Sequence, residues 1–330
     1  MPSKTQGKRT ERTVVFGGSL FYTGGIMANF KKKKRRYAAQ NQKSAYLFIL
    51  PSMVILSVFV FIPLLASFVI SITNMNIFMK DVSLVGFKNF TRLFVDSRVS
   101  NATFNSLYFT LLEVPLQVGL ALLLTVCLAK NNRYCKMLRS IYYLPFVCSM
   151  TAIGIVWSML LDPNMGLVAY WLKQAGLETV AFLKDPKFAM PTVIAVTAWK
   201  GFGYTLTLLA AAVLNIPQSL YEAAQMDGAG SFQKFRHITI PGIWSTISFC
   251  IVTTTISAMQ MFDQAYVMTK GGPLNKTETV VQYIYDRGFQ TAPYDLGYAS
   301  AISVYLFVIV AVMTFVLRRF ILKRGEDADA

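Results

Sequence analysis

From Ser44 to Met79 the chain runs for 36 residues without a single charged side chain. A stretch that long cannot sit on a solvated surface, and a soluble core offers little room for it. It is enough to cross a bilayer, whose hydrocarbon needs about 20 mainly apolar residues in a helix. The rest of the chain agrees. Hydrophobic residues make up 54% of its 330 residues and charged ones 15%, where a soluble protein carries about a quarter. The reading is an all-α polytopic membrane protein.

Six stretches meet the length requirement, at 45–73, 104–129, 140–161, 191–215, 243–262 and 297–317. The domain layout that follows is a basic tail over 1–43, a transmembrane domain over 44–320 and a short tail over 321–330. Thr13–Phe30 is also uncharged, but four glycines and several polar residues weaken it as a helix, so it is not counted as a seventh span. Met27, just ahead of the basic run Lys31–Arg36, offers an alternative start.

The net charge of +16 is distributed as the positive-inside rule requires. With six spans, 21 Lys and Arg fall in the 1–43 tail, after the last span at 317 and in the 130–139 and 216–242 loops, against 10 in the opposite loops. Both termini are therefore expected in the cytoplasm of a bacterial cell. Nucleic-acid binding would need a basic folded face, and no such motif appears. Cys127, Cys135, Cys148 and Cys250 lack CxxC spacing, and His237 is the one histidine, so neither a metal site nor a disulfide framework is expected. His237 itself reads as a surface residue.

The 216–242 loop has more structure than its neighbours. Pro217 suits a first helical turn, Leu220–Met226 forms a short helix, and Gly228 permits the left-handed turn that ends it. Ser231 is placed to cap a second short helix, which Pro241 closes ahead of the fifth span. Two readings fit this helix–turn–helix knob: a plug for a groove in another protein, or an amphipathic connector on the membrane surface.

The loop closely resembles the EAA motif of permease subunits in binding-protein-dependent ABC importers. The family pattern is E-A-A, three residues, G, nine residues, then I-x-L-P. Here Glu222-Ala223-Ala224, Gly228 and Ile238-Thr239-Ile240-Pro241 stand at those spacings, Ile240 replacing Leu. Asp227-Gly228-Ala229 also matches a common form. Val85–Phe94, Asp162–Leu167, Gly271–Glu278 and Tyr298–Ile302 resemble the carbohydrate-uptake branch, similar to maltose and multiple-sugar permeases; the likeness covers about 45–320. The resemblance implies a type I importer fold. Its expected partners are a second, different permease, a cytoplasmic ABC ATPase dimer, an extracellular solute-binding protein and a sugar. It makes Glu222, Ala223, Ala224, Asp227, Gly228, Ala229, Ile238 and Pro241 the contact to the ATPase. No GxxxxGK[ST] loop is present, so ATP hydrolysis is expected on the partner; no catalytic residue and no cofactor is assigned.

Polar residues inside spans mark either helix packing or a wet path. Three stripes hold helical spacing: Ser106, Thr110, Glu113 and Gln117; Lys200, Tyr204 and Thr207; and Thr246, Cys250, Thr253, Ser257 and Gln260. Most of their Ser and Thr are expected to bond between packed helices. Glu113, Lys200, Tyr204, Ser257 and Gln260 are the candidates for the substrate path. Tyr204 and Phe262 offer ring platforms for a sugar, and Glu113 and Lys200 are expected to pair across the second and fourth spans. Asp263 reads as a solvated helix end. Three rivals are an ion-gradient-driven secondary transporter, an integral-membrane enzyme and an importer of glycerol-phosphate-type solutes. The first would not need the knob, the second lacks a reactive cluster, and the third would lean more on Lys and Arg.

Overall fold

The computed structural model describes residues 46–79 and 81–329, and only the backbone of 322–329. The expectations for Thr13–Phe30, Met27 and the basic tail lie outside the described residues. The chain divides into a unit ending at Ala66 and a unit from Ser67 onward. In the first unit the described residues are helical and apolar, with rings and branched side chains such as Phe48, Phe59 and Leu65 exposed on every face. A helix that is apolar all round is what lipid or a partner covers.

Four continuous helices are long and apolar enough to cross a membrane: α1 (Tyr46–Ser71), α3 (Ser97–Leu128), α7 (Ala189–Leu214) and α13 (Leu296–Ile321). A short amphipathic helix, α2 (Lys88–Val95), leads into α3. The third and fifth predicted spans differ from expectation, because each is a bent pair. Helices α4 (Arg133–Val147) and α5 (Met150–Leu160) meet at 93°, and α9 (Ser231–Gly242) meets α10 (Trp244–Met259) at 68°. Counting each pair as one span restores six. The first break falls at Cys148 and Ser149, both extended, just beyond Pro145. A proline removes a backbone donor and disfavours continued α geometry, which accounts for the weakened helix end. Between the spans lie α6 (Leu167–Gln174), α8 (Gln218–Met226), α11 (Asp263–Met268) and α12 (Val280–Tyr285).

In the second unit α3 packs along α7 and α10, α7 along α4, and α10 along α13. Their buried residues form one core that includes Phe109, Val193, Leu206, Leu209, Ile243 and Ile247. A second core gathers Met259, Val280, Tyr283, Tyr298 and Ile302 near the start of α13.

Beside this second core Asp96 caps the N-terminus of α3, accepting from Arg98 N at 2.9 Å. The same carboxylate accepts from Tyr283 Oη at 2.6 Å and Tyr298 Oη at 2.8 Å, and both rings are fully buried. Arg98 bridges Glu278 and Asp286, while Arg92 pairs with Asp295 at 2.9 Å. Burial alone would raise the Asp96 carboxyl, but the hydrogen bonds from Tyr283, Tyr298 and Arg98 outweigh it and hold it below the ordinary carboxylate range. Burial, reinforced by donation to Asp96, pushes Tyr283 up to about 12.

Asp96→Ala should therefore remove a cap worth about 1 kcal/mol and strand the Tyr298 hydroxyl at about 1–3 kcal/mol, while Tyr283 Oη keeps the bond it accepts from Arg287 Nε. A thermal-unfolding midpoint in detergent that did not fall would contradict this. In the unmodified protein, the Asp96 contribution is complete above the ordinary carboxylate pKa of about 3.9 and is lost as pH falls through its lowered value. The Tyr283 contribution is complete below about pH 10 and is lost as pH rises toward 12.

Candidate functional site: a polar cavity and an exposed knob

Each stripe read from the sequence sits on a helix, but the structure divides their members. On α3, Ser106, Thr110, Glu113 and Gln117 are all buried. The outer two are spent on packing: Ser106 Oγ accepts from Val280 N at 3.1 Å, and Thr110 Oγ1 donates to Ser106 O at 2.7 Å. Glu113 and Gln117 instead face a cavity of about 330 Å³. Lys200 and Tyr204 of α7 enter it, with Thr253, Thr254 and Ser257 of α10, Gln264 of α11 and Phe146 of α4. Four of the five path candidates, Glu113, Lys200, Tyr204 and Ser257, thus line one space.

Gln260 does not. It follows the last residue of α10 and is exposed in a separate groove with Ile284, Phe307 and Phe315. Helical spacing was extended one residue past the end of the helix. Thr207 lies in an adjoining groove on the other side of Tyr204.

The predicted Glu113–Lys200 pair is absent among the described residues. Lys200 Nζ donates to Phe146 O at 3.0 Å and lies 5.2 Å from that ring's centroid. The break after α4 leaves carbonyls at its last turn without helical partners, and a cation is well suited to one of them. Glu113 is 2% exposed, and its Oε2 has no hydrogen-bond partner among the described residues. A buried carboxyl oxygen in that position is open to a donor entering the cavity. In the same cavity the Phe146 ring stacks on Tyr204 with centroids 4.6 Å apart, forming a flat apolar wall. The other predicted platform, Phe262, belongs to a distinct cluster, stacked on Tyr266 at 5.1 Å and edge-on to Tyr285 at 5.2 Å. Asp263 opens α11 and is exposed.

Sequence reasoning missed Phe146, whose signal was the aromatic run ending at Pro145. It also missed the role of Gln117, which donates to Thr205 Oγ1 at 3.0 Å and Thr254 Oγ1 at 3.3 Å, tying α3 to both α7 and α10. That carboxamide lies over Gly201, where an added Cβ would collide with it.

The knob follows α7. Helix α8 starts after Pro217 and ends at Met226, with Asp227 as its cap, and Gly228 takes φ +80° so that Ala229 N can reach Ala224 O at 2.9 Å. The cap of the second helix is Gly230, not Ser231, with Gly230 N donating to Gln233 Oε1 at 2.8 Å. Pro241 does not close that helix either. It follows a widened turn at Phe235–Thr239, where fewer i to i−4 donors are required, and the helix continues to Gly242. Tyr221 Oη bonds Thr239 Oγ1 at 2.9 Å and Lys234 Nζ donates to Gln225 Oε1 at 3.3 Å, holding α8 against α9. His237 is exposed and donates from Nδ1 to Gln233 O at 3.0 Å. The outer face of α8 is left uncovered. Ser219, Glu222, Ala223 and Met226 share it at helical spacing, all exposed, and Asp227 and Gly228 continue it. Ala224, Ala229 and Ile238 are half-buried behind it, and Pro241 is exposed.

Residues 117–324 match the family described as binding-protein-dependent transport system inner membrane component, and the chain belongs to that family. It is 32% identical over 292 residues to the probable ABC transporter permease protein YurN of Bacillus subtilis (strain 168), covering 87% of this chain and 99% of that one. It is 34% identical over 279 residues to the lactose transport system permease protein LacF of Rhizobium radiobacter, covering 82% and 92%. Among solved structures, a chain of the bacterial alginate ABC transporter in complex with alginate pentasaccharide-bound periplasmic protein superposes with a TM-score of 0.76 at 25% identity, covering 88% and 97%. The fold is therefore that of an ABC importer permease. Family membership favours the importer reading over an ion-gradient-driven carrier.

Two outcomes test the cavity. Gly201→Val should displace Gln117 and cost about 1–3 kcal/mol, and Gly201→Ala should be better tolerated when combined with Gln117→Ala. If the double variant is no more stable than Gly201→Ala alone, the contact is not what restricts the site. Glu113→Gln and Lys200→Met should shift thermal stability additively to within about 0.5 kcal/mol, since no ion pair joins them. A larger coupling in the double-mutant cycle would restore the pair.

Proposed function

We propose that this chain forms half of the translocation path for a sugar or oligosaccharide in an ABC importer. A second, homologous permease supplies the other half, and an extracellular solute-binding protein delivers the substrate. A cytoplasmic ATPase dimer hydrolyses the ATP. The chain carries out no covalent chemistry; its work is to expose the cavity to one side of the membrane and then the other. In this reading both termini are cytoplasmic, with 1–43 and 321–330 as tails flanking a transmembrane domain over 44–320.

The sugar assignment draws on the site and on the relatives together. Hydroxyl-rich ligands need paired donors and acceptors, which Glu113, Gln117, Thr253 and Ser257 present around one space. Their C–H faces pack on flat rings such as the Phe146–Tyr204 stack. LacF is named for lactose, and the alginate transporter was captured with a pentasaccharide on its periplasmic protein.

The uncovered outer face of α8 is the observation on which the proposal rests. Its inner face is tied by Tyr221 and backed by half-buried Ala224, while Glu222, Ala223 and Met226 project freely. Small Ala223 allows another backbone to approach closely, and Glu222 and Asp227 set the sign of the surface it must fit. The ATPase is the assigned occupant, and Gly228, Ala229, Ile238 and Pro241 shape the turn that presents it.

Co-purification in detergent tests this. The wild-type chain should hold a cytoplasmic ATPase through size-exclusion chromatography. Glu222→Lys and Gly228→Asp should insert to normal levels yet lose the ATPase or leave its hydrolysis unresponsive to the binding protein. Transport by vesicles containing this chain without any ATPase would sink the proposal.

A further inference from the structure

Helix α2 presents three unlike faces. With 3.6 residues per turn, Asn89 and Leu93 share one and Lys88 and Arg92 a second. Phe90 and Phe94 share the third, which Phe87 extends from just before the helix. Asn89 and Leu93 are buried, and Phe90 is half-buried against the second core. Asn89 Nδ2 donates to Ser71 O at 2.9 Å and Thr73 O at 2.8 Å, carbonyls that the end of α1 leaves without helical partners. Arg92, paired with Asp295 just ahead of α13, also lies over the Tyr298 ring at 4.0 Å. Lys88 and Arg92 border a polar groove with Asn74 and Asp295. The ring face is left bare: Phe87 is 76% and Phe94 88% exposed.

We infer that the Phe87–Phe94 face of α2 is embedded in lipid at the boundary between headgroups and acyl chains. The leaflet is the outer one under the orientation proposed above. Depth is the first argument. Helices α1 and α13 are both long and apolar enough to cross a bilayer, and α2 is fastened where one ends and the other starts. Those two points mark the edge of the hydrocarbon. Sidedness is the second. The cations and the rings lie on nearly opposite sides of α2, so a helix at that edge keeps Lys88 and Arg92 in water and turns Phe87 and Phe94 toward the acyl chains, the arrangement of helices that lie in a membrane surface. A soluble partner would meet the charged side and its groove, not the rings. The third argument separates this face from the substrate, since Phe87 and Phe94 line neither the polar cavity nor the groove adjoining it at Tyr204.

The test uses the assembled transporter in nanodiscs. In a chain whose four cysteines are replaced by alanine, single nitroxide labels are placed on Phe87→Cys, Phe94→Cys and Lys88→Cys. Collision with oxygen, which concentrates in lipid, is compared with collision with a water-soluble nickel chelate. Labels at positions 87 and 94 should report a depth of about 5–10 Å below the headgroup surface, while the label at position 88 should favour nickel. These readings should hold when the binding protein is added. Nickel access at 87 and 94 equal to that at 88 overturns the inference. So does shielding of both from oxygen and nickel alike, with or without binding protein, because a protein would then cover the face. The unmodified chain supplies a second reading. Phosphatidylcholine with a diazirine at the glycerol end of one acyl chain should leave photo-adducts on Phe87 or Phe94, and adducts elsewhere on the chain with none at either ring would also overturn it. Depth is read from the nearer membrane surface, so both measurements stand or fall independently of the proposed orientation.

Discussion

The arrangement is governed by the cost of a polar group in hydrocarbon. A charged side chain at mid-membrane costs at least about 2.5–3.5 kcal/mol, and an unpaired backbone carbonyl is also penalised. In α3, α7 and α10 polar side chains are disposed of in two ways. Ser106, Thr110, Thr125 and Ser248 bond to carbonyls or neighbouring segments and vanish into helix packing. Glu113, Lys200, Tyr204 and Ser257 gather around a single space. Concentrating the polar groups there leaves the outer faces of the helices free to be apolar.

The same constraint explains the bent pairs. A break within a membrane-spanning segment exposes carbonyls, and the break after Val147 is bearable because Lys200 reaches across from α7 to the Phe146 carbonyl. Lys200 therefore has a structural partner as well as a place on the cavity wall. Glu113, by contrast, keeps an oxygen unpaired among the described residues, so the two charges that stand out in the sequence play unlike parts.

Much of this was legible beforehand. Uncharged runs located the helices, and 3.6-residue spacing placed Glu113, Lys200, Tyr204 and Ser257 on faces that converge. The knob, with its left-handed Gly228, followed from turn chemistry. Other features lay beyond local pattern. The Glu113–Lys200 pair was inferred from opposite charge alone, and a proline-weakened helix 54 residues away offered Lys200 a better acceptor. Gln260 was placed by periodicity on a helix that had already ended. Ser231 looks like a cap, yet Gly230 occupies that position because its N–H meets Gln233. The Asp96 cluster joins residues about 190 positions apart, which single-segment reading cannot bring together.

The elbow between α9 and α10 has a mechanical consequence. At 1.5 Å per residue its arms are about 18 Å and about 24 Å long. Its corner, Ile243, is wholly buried in the core, and the adjoining Trp244 indole is moored to the Ile321 carbonyl of the last helix at 3.1 Å. With the fulcrum fixed, the two arms work as a bell crank. Ser257 stands 14 residues, about 21 Å, beyond the corner, so a push at the end of the short arm would reach it turned through the bend and lengthened by about a sixth.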